Sequence, residues 1–107
     1  MSTIREDSGL ATMINVFTTT PETQEAVLKI ITEATDQYVA KMPGFHSANI
    51  HASADGLRVV NYAQWSDPEA WKAMMSDPEC SEHINQLQAL AELDYHLYDV
   101  VSVHEAP

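Results

Sequence analysis

The stretch FHSANIHASADGLRVVNYAQW, residues 45–65, contains two strand-like runs and the turn that joins them. The runs are residues 45–52 and 57–65, and the tetrapeptide SADG at 53–56 separates them. Asp and Gly favour tight turns, and Gly56 can adopt the left-handed backbone conformation. We therefore predict a β-hairpin with a type I turn and a three-residue loop that ends in a bulge.

The length of this loop sets which residues face each other across the hairpin. With three loop residues, Phe45 lies opposite Trp65, and His51 lies opposite Val59. Alternation along the second strand places Asn61 on the same face as Trp65. His51, Asn61 and Trp65 then converge on one side of the sheet. A two-residue loop would shift the pairing by one residue and send His51 to the opposite face.

The chain before the hairpin is predicted to form a strand and then a helix. Residues 10–18 are rich in β-formers and end in a threonine cluster. Thr20 is a suitable N-cap, and Pro21 suits the first helical position because its missing N–H costs nothing there. The Pro43-Gly44 pair is the predicted end of this helix.

The chain after the hairpin adds two helices and a strand. The sequence SDPE occurs at 66–69 and again at 76–79, and each copy predicts a capping box at the start of a helix. Residues 94–104 predict the last strand. The order strand, helix, strand, strand, helix pair, strand is that of an α+β, ferredoxin-like split β-α-β sandwich.

Both faces of the predicted sheet carry apolar side chains. In the expected register, one face holds Ile50, Val60 and Tyr62, and the other holds Val59 and Trp65. Helices can cover only one face of such a sheet. We therefore expect a homodimer in which a second copy covers the other face.

Length and charge exclude several classes of function. The 107 residues suit one domain over residues 10–107, preceded by a polar, flexible arm at 1–9. The net charge of -11 disfavours nucleic acid and anionic membrane surfaces as partners. No apolar run is long enough to span a membrane and no signal peptide is evident, so we expect a cytoplasmic protein.

Cofactor and metal signatures are also missing from the sequence. Cys80 is the one cysteine, so it cannot form an intrachain disulfide. The five histidines show no tight metal-ligand spacing, and no glycine-rich phosphate loop occurs. We expect no metal and no bound cofactor.

Polar groups on apolar strand faces are the remaining candidates for chemistry. Asn61 is flanked by apolar neighbours, and a buried amide without partners costs about 1 to 3 kcal/mol. It is therefore either bonded to the backbone or kept for a ligand, and Asn15 on the first strand presents the same alternatives.

The aromatic and histidine candidates each have a structural alternative. Trp65 at a strand end suits a core position, and His51 beside a turn suits the surface. His83 on the apolar stripe of the last helix suits a hydrogen-bonded core histidine. Trp71, with Met74 beside it, suits simple packing.

Residues 51–65 closely resemble the antibiotic biosynthesis monooxygenases, in particular the actinorhodin-type anthrone oxygenases. The flanking Pro43-Gly44-Phe45 and residues 66–70 fit as well, so the similarity covers about residues 10–103. It implies a dimeric α/β barrel with a pocket in each subunit, and oxidation of an electron-rich aromatic substrate by O₂ without flavin, haem or metal.

The resemblance assigns three catalytic residues, Asn61, Trp65 and His51. Asn61 would donate to an enolate oxygen, Trp65 would line the pocket, and His51 would relay protons. We expect four further residues to contact the substrate, namely Trp71, His83, Asn15 and Phe45.

Two departures from the family pattern bear on the substrate. Trp71 stands where the anthrone oxygenases have tyrosine, and Ile84 or Asn85 stands where they have a pocket arginine. Two other functions stay open. A haem-degrading monooxygenase would use Asn15 and His83, and a non-catalytic dimeric domain would bind an aromatic ligand without turning it over.

Overall fold

The computed structural model describes residues 2–107, so Met1 of the predicted arm lies outside the described residues. Four strands, three α-helices and one 3₁₀ turn follow one another along the chain. In order they are β1 (Ala11–Thr18), α1 (Pro21–Gln37), the 3₁₀ turn (Val39–Lys41), β2 (Phe45–Ala52), β3 (Arg58–Trp65), α2 (Pro68–Met75), α3 (Pro78–Gln88) and β4 (Glu92–Tyr98).

The strands form one antiparallel sheet in the order β2-β3-β1-β4. Only β2 and β3 are neighbours both in the sheet and along the chain, because α1 and the α2–α3 pair carry the chain across the sheet between the other consecutive strands. The helices pack on one face, which we call the inner face, and we call the opposite face the outer face. The predicted α+β, ferredoxin-like architecture is confirmed.

Helix starts agree with the sequence at α1 and correct it at α2 and α3. Thr20 caps α1 and exchanges hydrogen bonds with Thr23, as a capping box requires. At the SDPE repeats the N-caps are Asp67 and Asp77, whose carboxylates accept backbone N–H groups of the first turn. The predicted serine caps are wrong because proline takes the first helical position, which makes the preceding residue the cap.

Two elements end earlier than the sequence indicates. The helix α1 ends at Gln37, and the 3₁₀ turn tightens the chain before the Pro43-Gly44 pair. The strand β4 ends at Tyr98, which pairs with Thr12 near the start of β1. Beyond that point only Ala11 of β1 remains, so the valine-rich residues 100–103 have no strand to pair with and do not extend the sheet.

The loop between β2 and β3 contains the predicted turn but one more residue. Gly56 has φ +80°, and its N–H donates to the Ser53 carbonyl across the turn. Asp55 Oδ1 accepts from the Leu57 N–H at 3.0 Å, while Ser53 pairs with Arg58. Because Asp55 takes the Leu57 N–H, Leu57 belongs to the loop, which therefore has four residues, 54–57.

The extra loop residue shifts the hairpin by one position. Ile50 lies opposite Asn61, and His51 lies opposite Val60. Ile50 therefore lies on the inner face and His51 on the outer face, the reverse of the predicted assignment. The pairing shifts back between Phe45 and Ser47, so that Phe45 lies opposite Trp65 as predicted.

The core on the inner face consists of two clusters. One contains Met13, Ala63, Trp65, Met74 and Cys80, and the other contains Phe17, Val27, Ile31, Val59 and Leu87. Along β1 and β3 the clusters are separated by one row of residues. That row holds Asn15 and Asn61, which are partners in the β1–β3 pairing.

The outer face is partly covered by the N-terminal segment. The Thr3 carbonyl accepts from Gln64 Nε2 at 2.8 Å, and Ser2 Oγ donates to Asn49. Gln64 is 2% exposed as a result. Glu6 accepts the backbone N–H of Val103, so the first residues also contact the C-terminal tail.

Candidate functional site

A cavity of about 90 Å³ lies between the inner face of the sheet and the three helices. It reaches both core clusters and the row of asparagines between them. Its described lining is Met13, Asn15, Phe17, Ile31, Ala34, Thr35, Val39, Phe45, Ala48, Asn61, Ala63, Trp65, Trp71, Met74, Met75, Cys80, His83, Ile84, Leu87, Leu93 and Tyr95. Six of the seven predicted site residues are among them.

The floor of the cavity is a polar row in an apolar sheet. The β-ladders align Asn61, Asn15 and Tyr95 on three strands, and the apolar Ile50, which does not line the cavity, continues this row on β2. Each of these residues is flanked along its own strand by apolar inner-face neighbours. A pair of amides in this position has no counterpart elsewhere on the described inner face.

Three buried polar atoms on the cavity wall have no hydrogen-bond partner, namely Asn15 Oδ1, Asn61 Oδ1 and Trp71 Nε1. Among the described residues they are also the complete set of such side-chain atoms. Leaving each one unpaired costs about 1 to 3 kcal/mol. Of the two alternatives for Asn15 and Asn61, backbone bonding through the amide oxygen is therefore not observed, and the arrangement suits a ligand that completes these bonds.

Aromatic rings form two walls of the cavity. Phe45 meets Trp65 edge to face, with ring centroids 5.4 Å apart. Trp71 on α2 meets Tyr95 on β4 with ring centroids 6.0 Å apart. Such rings bury a flat aromatic ligand well and leave its polar edge to the amides.

His83 occupies the helical side of the cavity with a defined orientation. Its Nδ1 lies 2.8 Å from the Glu79 carbonyl one turn earlier on α3. Its ring is half-buried and lies 5.2 Å from the ring of Tyr38, which is 38% exposed. His83 therefore lies where the cavity approaches the surface.

His51 does not join this site, so the predicted convergence with Asn61 and Trp65 is wrong. It lies on the outer face, exposed, with Nδ1 3.1 Å from the Asn49 carbonyl. The cause is the four-residue loop, which moved His51 from the side of Asn61 to the side of Val60.

The cavity carries no formal charge in its described lining. Cys80 is buried there, and desolvation, reinforced by the nearby Asp77 carboxylate, raises the pKa of its thiol. The thiol thus stays protonated at neutral pH. Within residues 2–107 no three His, Cys, Asp or Glu side chains are grouped as they would be around a metal ion.

Sequence reasoning missed Tyr95 and Thr35 as cavity residues. Tyr95 alternates with Asp94 and His96 on β4, and its inner-face position follows once β4 is paired with β1. The structure also gives the positions of Ile84 and Asn85, the two candidates for the place of the family's pocket arginine. Ile84 lines the cavity, and Asn85 is exposed.

Of the helices described, none combines the length and apolar character that a bilayer crossing demands.

Comparison with known proteins agrees with this fold. Residues 11–86 match the model of the family described as antibiotic biosynthesis monooxygenase. Tetracenomycin-F1 monooxygenase of Streptomyces glaucescens is 37% identical over 91 residues, which cover 85% of this chain and 81% of that protein.

Two solved structures show the same fold. A monooxygenase from the gene ActVA-Orf6 of Streptomyces coelicolor, in complex with Nanaomycin D, has a TM-score of 0.77 at 27% identity, and the match covers 92% of this chain and 93% of that one. SnoaB of Streptomyces nogalater, a cofactor-independent oxygenase, has a TM-score of 0.73 at 26% identity over 88% and 95% of the two chains. These matches confirm the family resemblance, and the chain belongs to the antibiotic biosynthesis monooxygenases.

Proposed function

We propose that this protein is a cofactor-independent monooxygenase that oxidises an anthrone or hydroquinone-like polyketide to a quinone with O₂. The observation that carries the proposal is the set of three unpaired polar atoms, two amide oxygens and one indole N–H, in an uncharged cavity walled by aromatic rings. The names of the relatives support the same class, since SnoaB is a cofactor-independent oxygenase.

A hydroxyanthrone complements these three atoms. A phenol O–H beside a carbonyl presents one donor and one acceptor on the same edge of a flat molecule. A carboxamide presents one acceptor and two donors, so Asn15 and Asn61 together match that edge. The Trp71 N–H can then donate to an oxygen on the far side of the ring system.

The chemistry needs no other redox partner because the substrate is its own reductant. Loss of a proton from the anthrone methylene leaves the electron pair on the ring system as an enolate. The enolate passes one electron to O₂, and the two radicals combine into a peroxide. Loss of water from the peroxide completes the reaction, in which one CH₂ and one O₂ become one C=O and one H₂O.

In this scheme Asn61 stabilises the enolate. Its amide N–H donates to the oxygen on which negative charge develops, in a site without competing water. Trp65 is 1% exposed and packed against Phe45, and it holds the substrate plane against the sheet. Asn15 and Trp71 bind the remaining oxygens.

The same cavity fits haem poorly. Haem brings two propionate carboxylates, and the described lining contains no lysine or arginine to pair with them. Burying unpaired carboxylates is costly. The alternative of a haem-degrading enzyme that uses Asn15 and His83 is therefore the weaker one.

The active form in this proposal is a homodimer. On the outer face Ile14, Val16, Val60 and Tyr62 are only half-buried in the single chain. They form one apolar patch, because Val16 pairs with Val60 and Ile14 pairs with Tyr62. The outer face of a second copy matches this patch by symmetry.

Oxygen uptake with a dihydroxyanthrone tests the activity. We expect metal-stripped protein to consume one O₂ per anthrone, to release the anthraquinone, and to keep its rate in the presence of a chelator. Protein that binds haem stoichiometrically and consumes O₂ only with haem and a reductant would support the alternative. Protein that binds the anthrone without turnover would indicate a binding domain.

A further inference from the structure

We propose that His83 is the general base that removes the proton from the substrate carbon. This inference rests on the proposed function and supplies the proton acceptor that His51, on the outer face, does not provide to the cavity. It follows from the tautomer that the structure imposes on His83 and from the composition of the cavity.

The hydrogen bond to Glu79 fixes the tautomer. A carbonyl oxygen only accepts hydrogen bonds, so His83 Nδ1, 2.8 Å from the Glu79 carbonyl, must carry the hydrogen. In the neutral imidazole the other nitrogen, Nε2, then has a free lone pair. A histidine oriented in this way is ready to accept a proton at Nε2 and to donate none there.

No other described residue of the cavity can take this role at neutral pH. The lining has no carboxylate and no lysine, and the amide, indole, hydroxyl and thioether groups are not bases. The Cys80 thiol is buried, and its raised pKa keeps it protonated. His83 is the one described lining residue with a basic nitrogen.

The position of His83 also gives the proton a way out. Its half-buried ring packs on Tyr38, which is partly exposed at the end of α1. The imidazolium formed in the first step can thus return its proton to the peroxide or pass it to water at the mouth. Asn61 is on the opposite, sheet side of the cavity, so a flat substrate between them meets the base at one edge and the enolate donor at another.

The transfer itself is simple. The C–H bond of the anthrone methylene breaks, the proton goes to Nε2, and the electron pair remains on the substrate as the enolate. Only the neutral imidazole can accept this proton.

Anaerobic hydrogen–deuterium exchange tests this step apart from the oxidation. The probe is a dihydroxyanthrone in D₂O without O₂, with incorporation at the methylene carbon followed by NMR. We expect the wild-type protein to accelerate exchange over the buffer, and His83→Gln to reduce that acceleration by about 10²-fold or more, the scale of a lost general base. Glutamine can still donate to the Glu79 carbonyl but has no basic nitrogen.

Two controls separate a lost base from a damaged fold. His46→Gln makes the same change at an exposed position of β2 and should exchange like the wild type. His83→Ala opens a space in which added imidazole should restore exchange. If His83→Gln accelerates exchange as much as the wild type does, His83 is not the base. If the wild-type protein oxidises the anthrone rapidly but does not accelerate exchange, the base assignment is also wrong, although the proposed function then stands. If the wild-type protein oxidises no anthrone, both the proposed function and the role of His83 are wrong.

Discussion

Asn15 and Asn61 are direct partners across β1 and β3, and each has a buried amide oxygen without a hydrogen-bond partner. They separate two apolar clusters that would otherwise form one continuous core. Two adjacent unpaired amides reduce the stability of the empty protein, and a ligand that pairs with them recovers that free energy. Stability and activity should therefore respond in opposite directions to changes at this row.

Asn61→Leu tests this opposition directly. Leucine has the branched shape of asparagine and no polar atoms, and the cavity beside Asn61 leaves room for its larger methyl groups, so we expect the free energy of unfolding of the ligand-free protein to rise by about 1 kcal/mol. Loss of the enolate donor should lower kcat by about 10²-fold, with a smaller change in substrate affinity. Urea denaturation and steady-state oxygen uptake measure the two effects.

The matched change at Asn49 on the outer face supplies the contrast. Asn49 Nδ2 donates to the Tyr62 carbonyl, so Asn49→Leu removes a bond that is made and should destabilise the protein. If Asn61→Leu destabilises as much as Asn49→Leu, the amide of Asn61 is satisfied in solution and its assignment to the substrate is wrong.

Trp71→Phe removes the third unpaired group, the indole N–H. We expect KM for a dihydroxyanthrone to rise about threefold to tenfold, the value of one neutral hydrogen bond, with little change in the Tm of the ligand-free protein. In contrast, Trp65→Phe should lower Tm, because Trp65 belongs to the core cluster. Calorimetry with and without ligand distinguishes the two. An unchanged KM in Trp71→Phe would exclude a substrate hydrogen bond there.

Val60→Lys tests the homodimer. A lysine in the centre of the apolar outer-face patch should convert a dimer into a monomer, as measured by analytical ultracentrifugation at micromolar concentration. Because each chain carries a net charge of -11, added lysine weakens the overall repulsion between two copies, so dissociation would reflect the cost of burying an ammonium group in the apolar contact. Val101→Lys on the exposed tail is the control. A wild-type protein that sediments as a monomer would contradict the proposed dimer.

Asp55 makes the hairpin loop sensitive to acid. The Leu57 N–H and then the Ser53 hydroxyl donate to its carboxylate and hold its pKa below the ordinary 3.8. The stabilisation is therefore present above about pH 4 and is lost as the pH falls through the lowered pKa. We expect Asp55→Asn to be less stable than the wild type at pH 7, with a difference that shrinks below pH 3.8.

Urea midpoints over this pH range provide the measurement. Asp36→Asn, which changes an exposed carboxylate on α1, serves as the control. Its urea midpoint should stay close to that of the wild type at each pH. A stability difference between wild type and Asp55→Asn that does not change with pH would argue against the ionised carboxylate as the cause.

Cys80 should react slowly with alkylating agents. Only the thiolate reacts, and burial raises the pKa of the Cys80 thiol and so lowers the thiolate fraction. We expect iodoacetamide at pH 8 to label Cys80 more slowly than free cysteine, and still more slowly with a bound anthrone, because Cys80 lines the cavity. Mass spectrometry follows the labelling. Labelling as fast as that of free cysteine would contradict the buried position.

The order of elements could be predicted from the sequence because it depends on local signals. Period-two and period-3.6 patterns, proline at helix starts and the SADG turn each act within a few residues. The faces on which Ile50 and His51 lie could not be predicted in this way. They depend on whether the Leu57 N–H donates to the Asp55 carboxylate or to the neighbouring strand. A difference of one hydrogen bond decided which histidine could belong to the site.

The site residues divide in the same way. Asn61 and Trp65 share a face of one strand, which alternation alone predicts. Tyr95 and the orientation of His83 depend on the pairing of β4 with β1 and on a contact within α3, and the sequence contains no clear signal for either.

The irregularity between Phe45 and Ser47 has a consequence for how such chains tolerate change in length. The extra residue of the loop shifts the pairing at one end of the hairpin, and this irregularity cancels the shift before the strands reach the aromatic pair at the other end. The Phe45–Trp65 contact is therefore the same as it would be with the shorter loop. A three-residue loop without this irregularity and a four-residue loop with it are thus both compatible with the same aromatic wall.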